Sequence, residues 1–397
     1  MPFKVFVSQD QGIQDMRKEV KMKVTRKNYL KKKAVIGLCM AVLAVVLGGC
    51  GDGGQSGSQT TGSQVENSQA QSNDMLASVS AQTGAVTSTE ASDRDAVTIR
   101  IGSLKGPTSL GLLDLMDRAS KEETFDHYEF RMATGADELL PLMVKGDLDI
   151  VLVPANVASV LYQKTDGGVV AIDINTLGVL YMVTGTAEVS SVTDLKGKTV
   201  CLTGKGTTPE ASLRYILEAN GLTEGDVTLE FKSEATEVAA VLAENPDAIG
   251  LLPQPFVTAA CMQNESLKIV LDMNEEWMRV QNELKDGISN GMVTGVTVVR
   301  RDFLKENPEA ITAFLEEHAA STAAINADPA AGAVLAVEAG IVAKEPIARN
   351  AIPQCNITCI TGEEMKAALS EYLNVLDEFD TELIGGSLPE DDFYYLP

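Results

Sequence analysis

The chain has 397 residues, 45% of them apolar, and carries 56 acidic against 32 basic side chains for a formal charge of −24. That balance excludes nucleic acid as a partner, because binding it requires phosphates to be neutralised. It also argues against charge-driven adhesion to anionic lipid. A small anionic ligand stays admissible, since local donors outweigh a distant screened field.

At the front, Arg26, Lys27, Lys31, Lys32 and Lys33 precede an apolar run from Ala34 to Leu47. The run is shorter than the roughly 20 residues of a spanning helix, and a basic segment followed by a short apolar one reads as a secretory signal peptide over 1–49. Its end, Leu47-Gly48-Gly49-Cys50, resembles the bacterial lipobox. The resemblance implies that Cys50 takes the lipid and becomes the first mature residue. Met22 offers an alternative start, since the basic run lies wholly after it, and residues 1–21 would then be an extension. Residues 50–95 are rich in Ser, Gly, Gln and Thr and bury no core, so a disordered linker is expected there. A flexible chain of that length spans about 40 Å. The protein is therefore expected outside the cytoplasm, lipid-anchored to the outer face of the cell membrane, and monomeric.

From Val97 the pattern alternates. VTIRIGSL reads as a strand, SLGLLDLMDRA as a helix, YEFRMA as a strand, and ADELLPLMVKGDLDIVLVP as a helix, a glycine stop and a buried strand. NVASVLYQK and GVVAIDI continue as helix and strand, and LGVLYMVTG reads as a strand crossing between two lobes. The rhythm repeats in KTVCLTGKG, PEASLRYILEANG, VTLEFK, TEVAAVLAE and AIGLLP. A further strand and a long helix follow in GVTVVRRDFLKENPEAITAFLEEHAASTAAI, with Pro308 near the first turn, where a missing N–H costs little. Alternating strands and helices predict an α/β fold with largely parallel sheets. The expected division is 96–187 for the first part of lobe 1, 188–290 for lobe 2, and 291–397 for the return to lobe 1 with C-terminal helices. A two-strand hinge is expected near 183–188 and 288–293.

In open α/β sheets ligands bind beyond the carboxyl ends of strands, where helix N-termini offer free N–H groups. Thr108 and Ser109 follow the first strand, as ligand hydroxyls or as simple caps. Asn156 and Thr176 lie near the ends of later strands of lobe 1, Asn156 also being a good cap. In lobe 2, Lys205, Thr207 and Thr208 sit in a Gly/Thr turn, and Lys205 either pairs an anion or points to water. Gln254 ends a strand in LLPQPF, and Trp277, the only tryptophan, either stacks on a ligand ring or packs in the core.

Three stretches resemble the substrate-binding lipoproteins of ABC importers, in the branch for nitrate, sulfonate, taurine and thiamine-pyrimidine precursors: residues 144–164, 192–222 and 244–260. The resemblance implies a two-lobed periplasmic-binding-protein-like (type II) fold, a small-molecule ligand, and a permease with its ATPase as partner. Gln254 stands where that family commonly has a carboxylate. A sensory or structural surface lipoprotein is the alternative. An enzyme on the same fold is disfavoured, because only His127 and His318 exist and neither sits in an expected ligand loop. Gly197-Lys198-Thr199 is no phosphate loop, because the motif's first glycine would fall at Val192 and the triplet precedes a strand instead of opening a helix. No cofactor and no metal are expected. Cys201, Cys261, Cys355 and Cys359 are too few for a disulfide scaffold. If the last two share a strand they lie about 13 Å apart, so free thiols are expected.

Overall fold

A computed structural model describes residues 95–284 and 291–397. The expected signal peptide, Cys50, the linker as far as residue 94, and positions 288–290 of the second hinge segment lie outside these residues.

The first part of the chain builds β1 (Thr98–Leu104), α1 (Pro107–Leu110), α2 (Leu113–Ser120), β2 (His127–Ala133), α3 (Ala136–Lys145), β3 (Ile150–Pro154), α4 (Ala155–Lys164) and β4 (Val169–Thr176). The second builds β5 (Leu180–Thr184), β6 (Thr199–Leu202), α5 (Thr208–Ala219), β7 (Thr228–Phe231), α6 (Ala235–Glu244), β8 (Ile249–Pro253), α7 (Phe256–Gln263), β9 (Lys268–Asp272) and α8 (Met273–Leu284). The return comprises β10 (Gly295–Arg300), α9 (Arg301–Glu306), α10 (Pro308–Ala327), α11 (Pro329–Glu338), α12 (Glu345–Ala351), β11 (Ile357–Ile360) and α13 (Gly362–Phe379). Local signals act as the sequence suggests. Gly146 ends α3 in the left-handed conformation, φ 79°, where its missing Cβ removes the strain. Pro308 occupies the first turn of α10.

The strands form two sheets, one per lobe. Lobe 1 has the order β11-β4-β10-β3-β1-β2 and lobe 2 the order β7-β6-β8-β5-β9. The sheets are mixed, which corrects the expectation of largely parallel ones. β1 runs parallel to β2 and β3, and β6 to β7 and β8, but β10 is antiparallel to β3 and β4, and β5 to β8 and β9. β11 is antiparallel to β4 as well. β5 and β10 are the strands that follow the outgoing and returning passages, and each enters its sheet against the local direction.

The crossing also lies earlier than expected. β5 is already hydrogen-bonded to β8 from Leu180, so the passage is Leu177-Gly178-Val179 and not 183–188, and lobe 2 begins at Leu180 instead of 188. The return passage ends in residues 291–294. One side chain holds both passages. Asn274 Oδ1 accepts from Gly178 N at 3.2 Å and from Met292 N at 2.8 Å, and Asn274 is 6% exposed. A Cβ on Gly178 would lie 2.6 Å from Met292 Cε and 2.7 Å from Asn274 Oδ1, so glycine is required there.

In lobe 1, Asp149 ties three neighbouring strands. Its carboxylate accepts from Arg100 Nε at 2.8 Å, Arg100 Nη2 at 2.7 Å and Arg300 Nη2 at 2.9 Å. Burial alone would raise its pKa, but the hydrogen bonds from Arg100 and Arg300 outweigh that and hold it below the usual carboxylate range. α13 packs on α5 of lobe 2 and on α4 and β4 of lobe 1. One apolar core consequently runs through Val151 and Val153 of lobe 1, Leu369 and Leu373 of α13, and Val200 and Trp277 of lobe 2.

Two outcomes follow. Asn274→Ala strands two buried N–H groups and should cost about 2 kcal/mol by denaturant titration; an unchanged midpoint would remove Asn274 from the hinge. For Asp149 the folded pKa is depressed, so its stabilisation is complete above an unfolded value of about 3.9 and is lost as pH falls through the folded value. Asp149→Asn should be less stable at pH 6 and should lose less on acidification to pH 3 than the parent.

Candidate functional site

The carboxyl ends of β1, β3, β6 and β8 and the segment before β11 define the seam between the lobes. On lobe 1, β1 runs into Lys105-Gly106-Pro107 and α1. Ser109 is fully buried and its hydroxyl donates to the Leu104 carbonyl, so it ties the first turn of α1 back to the end of β1 and does not cap the helix. Thr108 is 7% exposed and packs on Gly295, where an added Cβ would come within 2.5 Å of Thr108 Cγ2. Asn156 donates to Leu383 O at 3.3 Å, a carbonyl of the C-terminal segment.

Thr176 ends a buried polar chain. Its hydroxyl donates to Asn175 Oδ1 at 3.0 Å, Asn175 Nδ2 to Thr297 Oγ1 at 3.2 Å, and Thr297 Oγ1 to Asp173 Oδ1 at 2.8 Å. Asp173 Oδ2 lies 3.3 Å from His318 Nδ1. These groups join β4 to β10, the two strands that lead into and out of the passages. Asp173, His318 and Cys359 each bring one atom within 4.8 Å of the others, a trio with metal-ligand chemistry among the described residues. Asp173 is already engaged by Thr297 and His318.

On lobe 2 the Gly/Thr turn is internally satisfied. Gly206 N donates to Glu210 Oε2 at 2.7 Å, and Glu210 Oε1 meets Arg214 Nε at 2.7 Å. Thr207 Oγ1 donates to Gly204 O at 2.6 Å, and Lys205 Nζ stands 5.8 Å from the Phe231 ring centroid. Thr208 reaches towards the Tyr372 hydroxyl, whose pKa is raised by burial. These four residues serve the turn, the edge strand and α13.

Gln254 does meet the other lobe. It is 2% exposed, its Nε2 donates to Gln354 Oε1 at 2.6 Å, and its Oε1 accepts from Thr258 Oγ1 at 2.8 Å. Beside this pair Tyr181 OH donates to Gln354 O at 2.7 Å, and Asn356 Nδ2 to Gly178 O at 2.6 Å. The next residues in both segments, Pro255 and Cys355, face a cavity of about 10 Å³ walled also by Pro107, Leu110, Val342 and Ile352. That is room for one water at most, which needs about 10–15 Å³ on this measure, so the two lobes meet there. Gln354, Cys355 and Pro107 escaped the sequence reading. The first two precede a strand, where the strand-end rule does not look.

A larger hollow of about 680 Å³ lies among Thr186, Glu188, Lys198, Cys201, Glu230 and Asp247. It sits at the starting ends of β6 and β8, opposite the carboxyl ends, and joins no second lobe. The seam is therefore the better candidate.

Trp277 is corrected from ligand contact to core. It is 1% exposed and its ring centroid lies 4.8 Å from that of Tyr215 and 5.4 Å from that of Tyr372. The four cysteines are free, and burial pushes the Cys355 thiol up to about 12. Trp277→Ala should lower stability by about 3–5 kcal/mol; a variant with parental stability would return Trp277 to the ligand.

Residues 169–332 match the NMT1/THI5 like family model. No curated protein matches the sequence. Among solved structures, an ABC transporter protein from Parabacteroides distasonis is 23% identical, with 76% of this chain and 98% of that one covered and a TM-score of 0.62. The periplasmic aliphatic sulphonate binding protein SsuA from Escherichia coli is 16% identical, covering 76% and 92% with a TM-score of 0.59. The alkanesulfonate-binding protein SsuA from Xanthomonas axonopodis, bound to MOPS, is 14% identical, covering 75% and 96% with a TM-score of 0.51. These agree with the resemblance read from the sequence: the chain has the two-lobed periplasmic-binding-protein fold.

Proposed function

We propose that the chain is an extracytoplasmic solute-binding lipoprotein. It captures a sulfonate-, oxyanion- or thiamine-precursor-like small molecule and delivers it to the permease of an ABC importer, whose ATPase supplies the energy. The observation that carries this reading is the Gln254–Gln354 hydrogen bond, 2.6 Å long, which joins the carboxyl end of β8 in lobe 2 to the segment before β11 in lobe 1. Two α/β lobes, two short passages and a seam at the strand ends suit capture by closure. The fold is also that of the E. coli and Xanthomonas sulfonate-binding proteins.

The ligand enters when the lobes part and is enclosed when they return. Closure shifts only if the ligand binds the closed state better than the open one. The chain performs no catalysis in this scheme. In this reading Cys50 holds it to the membrane through lipid, and a monomer suffices. Of the expected ligand residues, Gln254 is the one this reading keeps as a ligand contact, because it bonds across to Gln354.

Thermal unfolding of the full-length protein against sulfonates, oxyanions, pyrimidines and amino acids tests the reading. A ligand at 100 times its dissociation constant should add about 2.7 kcal/mol. Uptake of the same compound by cells should fall when the chain is deleted. A flat panel together with unaltered uptake would refute a transport role.

A further inference from the structure

We infer that the seam selects an uncharged, predominantly apolar ligand carrying an amide-like edge, and rejects sulfonates and other oxyanions. The inference rests on the proposed function and narrows its ligand.

The walls come first. Pro107 and Leu110 from lobe 1, Pro255 from lobe 2, and Val342, Ala351 and Ile352 from the C-terminal part line the cavity with carbon. None of the residues around it is charged, and Cys355 holds its thiol neutral because burial raises its pKa. An oxyanion placed there would lose its hydration without gaining a partner of opposite charge, which costs several kcal/mol.

The donors that could offset that cost are already engaged. The Gly206 N–H, the natural anion donor at the start of α5, holds the carboxylate of Glu210, which Arg214 neutralises. Lys205 stands over Phe231 on the edge strand. Lys105, adjacent to Gly106, is exposed, and a pair formed in water contributes at most about 1 kcal/mol.

The polar groups that do face the seam are neutral. Gln254 and Gln354 meet amide to amide from the two sides, one donating and the other accepting. A ligand that parts them leaves the buried Gln254 donor opposite the half-buried Gln354 acceptor. A group presenting both functions on one edge satisfies both, whereas an anion satisfies the donor and repels the acceptor. An exposed aromatic ring, Phe256 at 42%, follows Pro255 in the chain and extends the apolar character beyond the seam.

Isothermal titration of the full-length protein with matched pairs tests this: benzamide against benzenesulfonate, and hexanamide against hexanesulfonate. The amide of at least one pair should bind tenfold or more tighter than its sulfonate. Gln254→Glu should weaken that amide at least tenfold. Because Gln254 is buried, Pro107→Asp serves as the second variant: an acid at the first turn of α1 suits the helix, and it should weaken the amide similarly with the melting temperature kept. A sulfonate that binds tighter than its amide overturns the inference and leaves the proposed function standing. If neither amide binds, the inference falls, and the solute panel above then decides whether the proposed function falls with it.

Discussion

The architecture depends on one hydrogen-bonding side chain, Asn274, which closes on both passages between the lobes. Its Oδ1 receives the N–H groups of Gly178 and Met292, so the outgoing and returning chains are held against a common point. The buried chain from His318 through Asp173, Thr297 and Asn175 to Thr176 stiffens β4 and β10 just behind that point. Among the described residues, the chain between the two sheets is short, Leu177-Gly178-Val179 on the way out and 291–294 on the return. A hinge needs this contrast: strands that do not bend feeding short segments that do.

A second constraint limits how far the lobes can part. α13 carries Tyr372 against Trp277 of lobe 2 while its other contacts rest on α4 and β4 of lobe 1. Opening must slide this face or expose it, and each fully exposed large apolar side chain costs about 1.5–3 kcal/mol. The aromatic faces meet there at tilted angles, 43° for Tyr215–Trp277 and 59° for Trp277–Tyr372. The proposed closure has to be accommodated at this face as well as at the passages.

Much of the fold was legible because strand and helix periodicities report which face is buried. The glycine stop at Gly146, the proline start at Pro308 and both α/β units came directly from local chemistry. Periodicity does not report what covers a buried face. Trp277 was open between ligand and core because its partners, Tyr215 and Tyr372, lie 62 and 95 residues away in sequence. The crossing was placed late because LGVLYMVTG is apolar throughout, and nothing in it marks where hydrogen-bonding passes from one sheet to the other. Gln254 was legible as the end of a strand. Its partner Gln354 was not, since it sits in a short turn that only tertiary folding brings to the seam.

The Gly/Thr turn at 203–208 shows how a persuasive motif can be consumed internally. Gly204 and Gly206, both at positive φ, expose backbone donors as an anion cradle would. Glu210, four residues beyond Gly206, places its own carboxylate there. A group on the same helix turn acts at an effective concentration no free solute matches, and Arg214 holds it from the other side. A diffusing anion would have to displace a carboxylate that is 6% exposed and already charge-balanced. The turn is thus a structural clasp on α5.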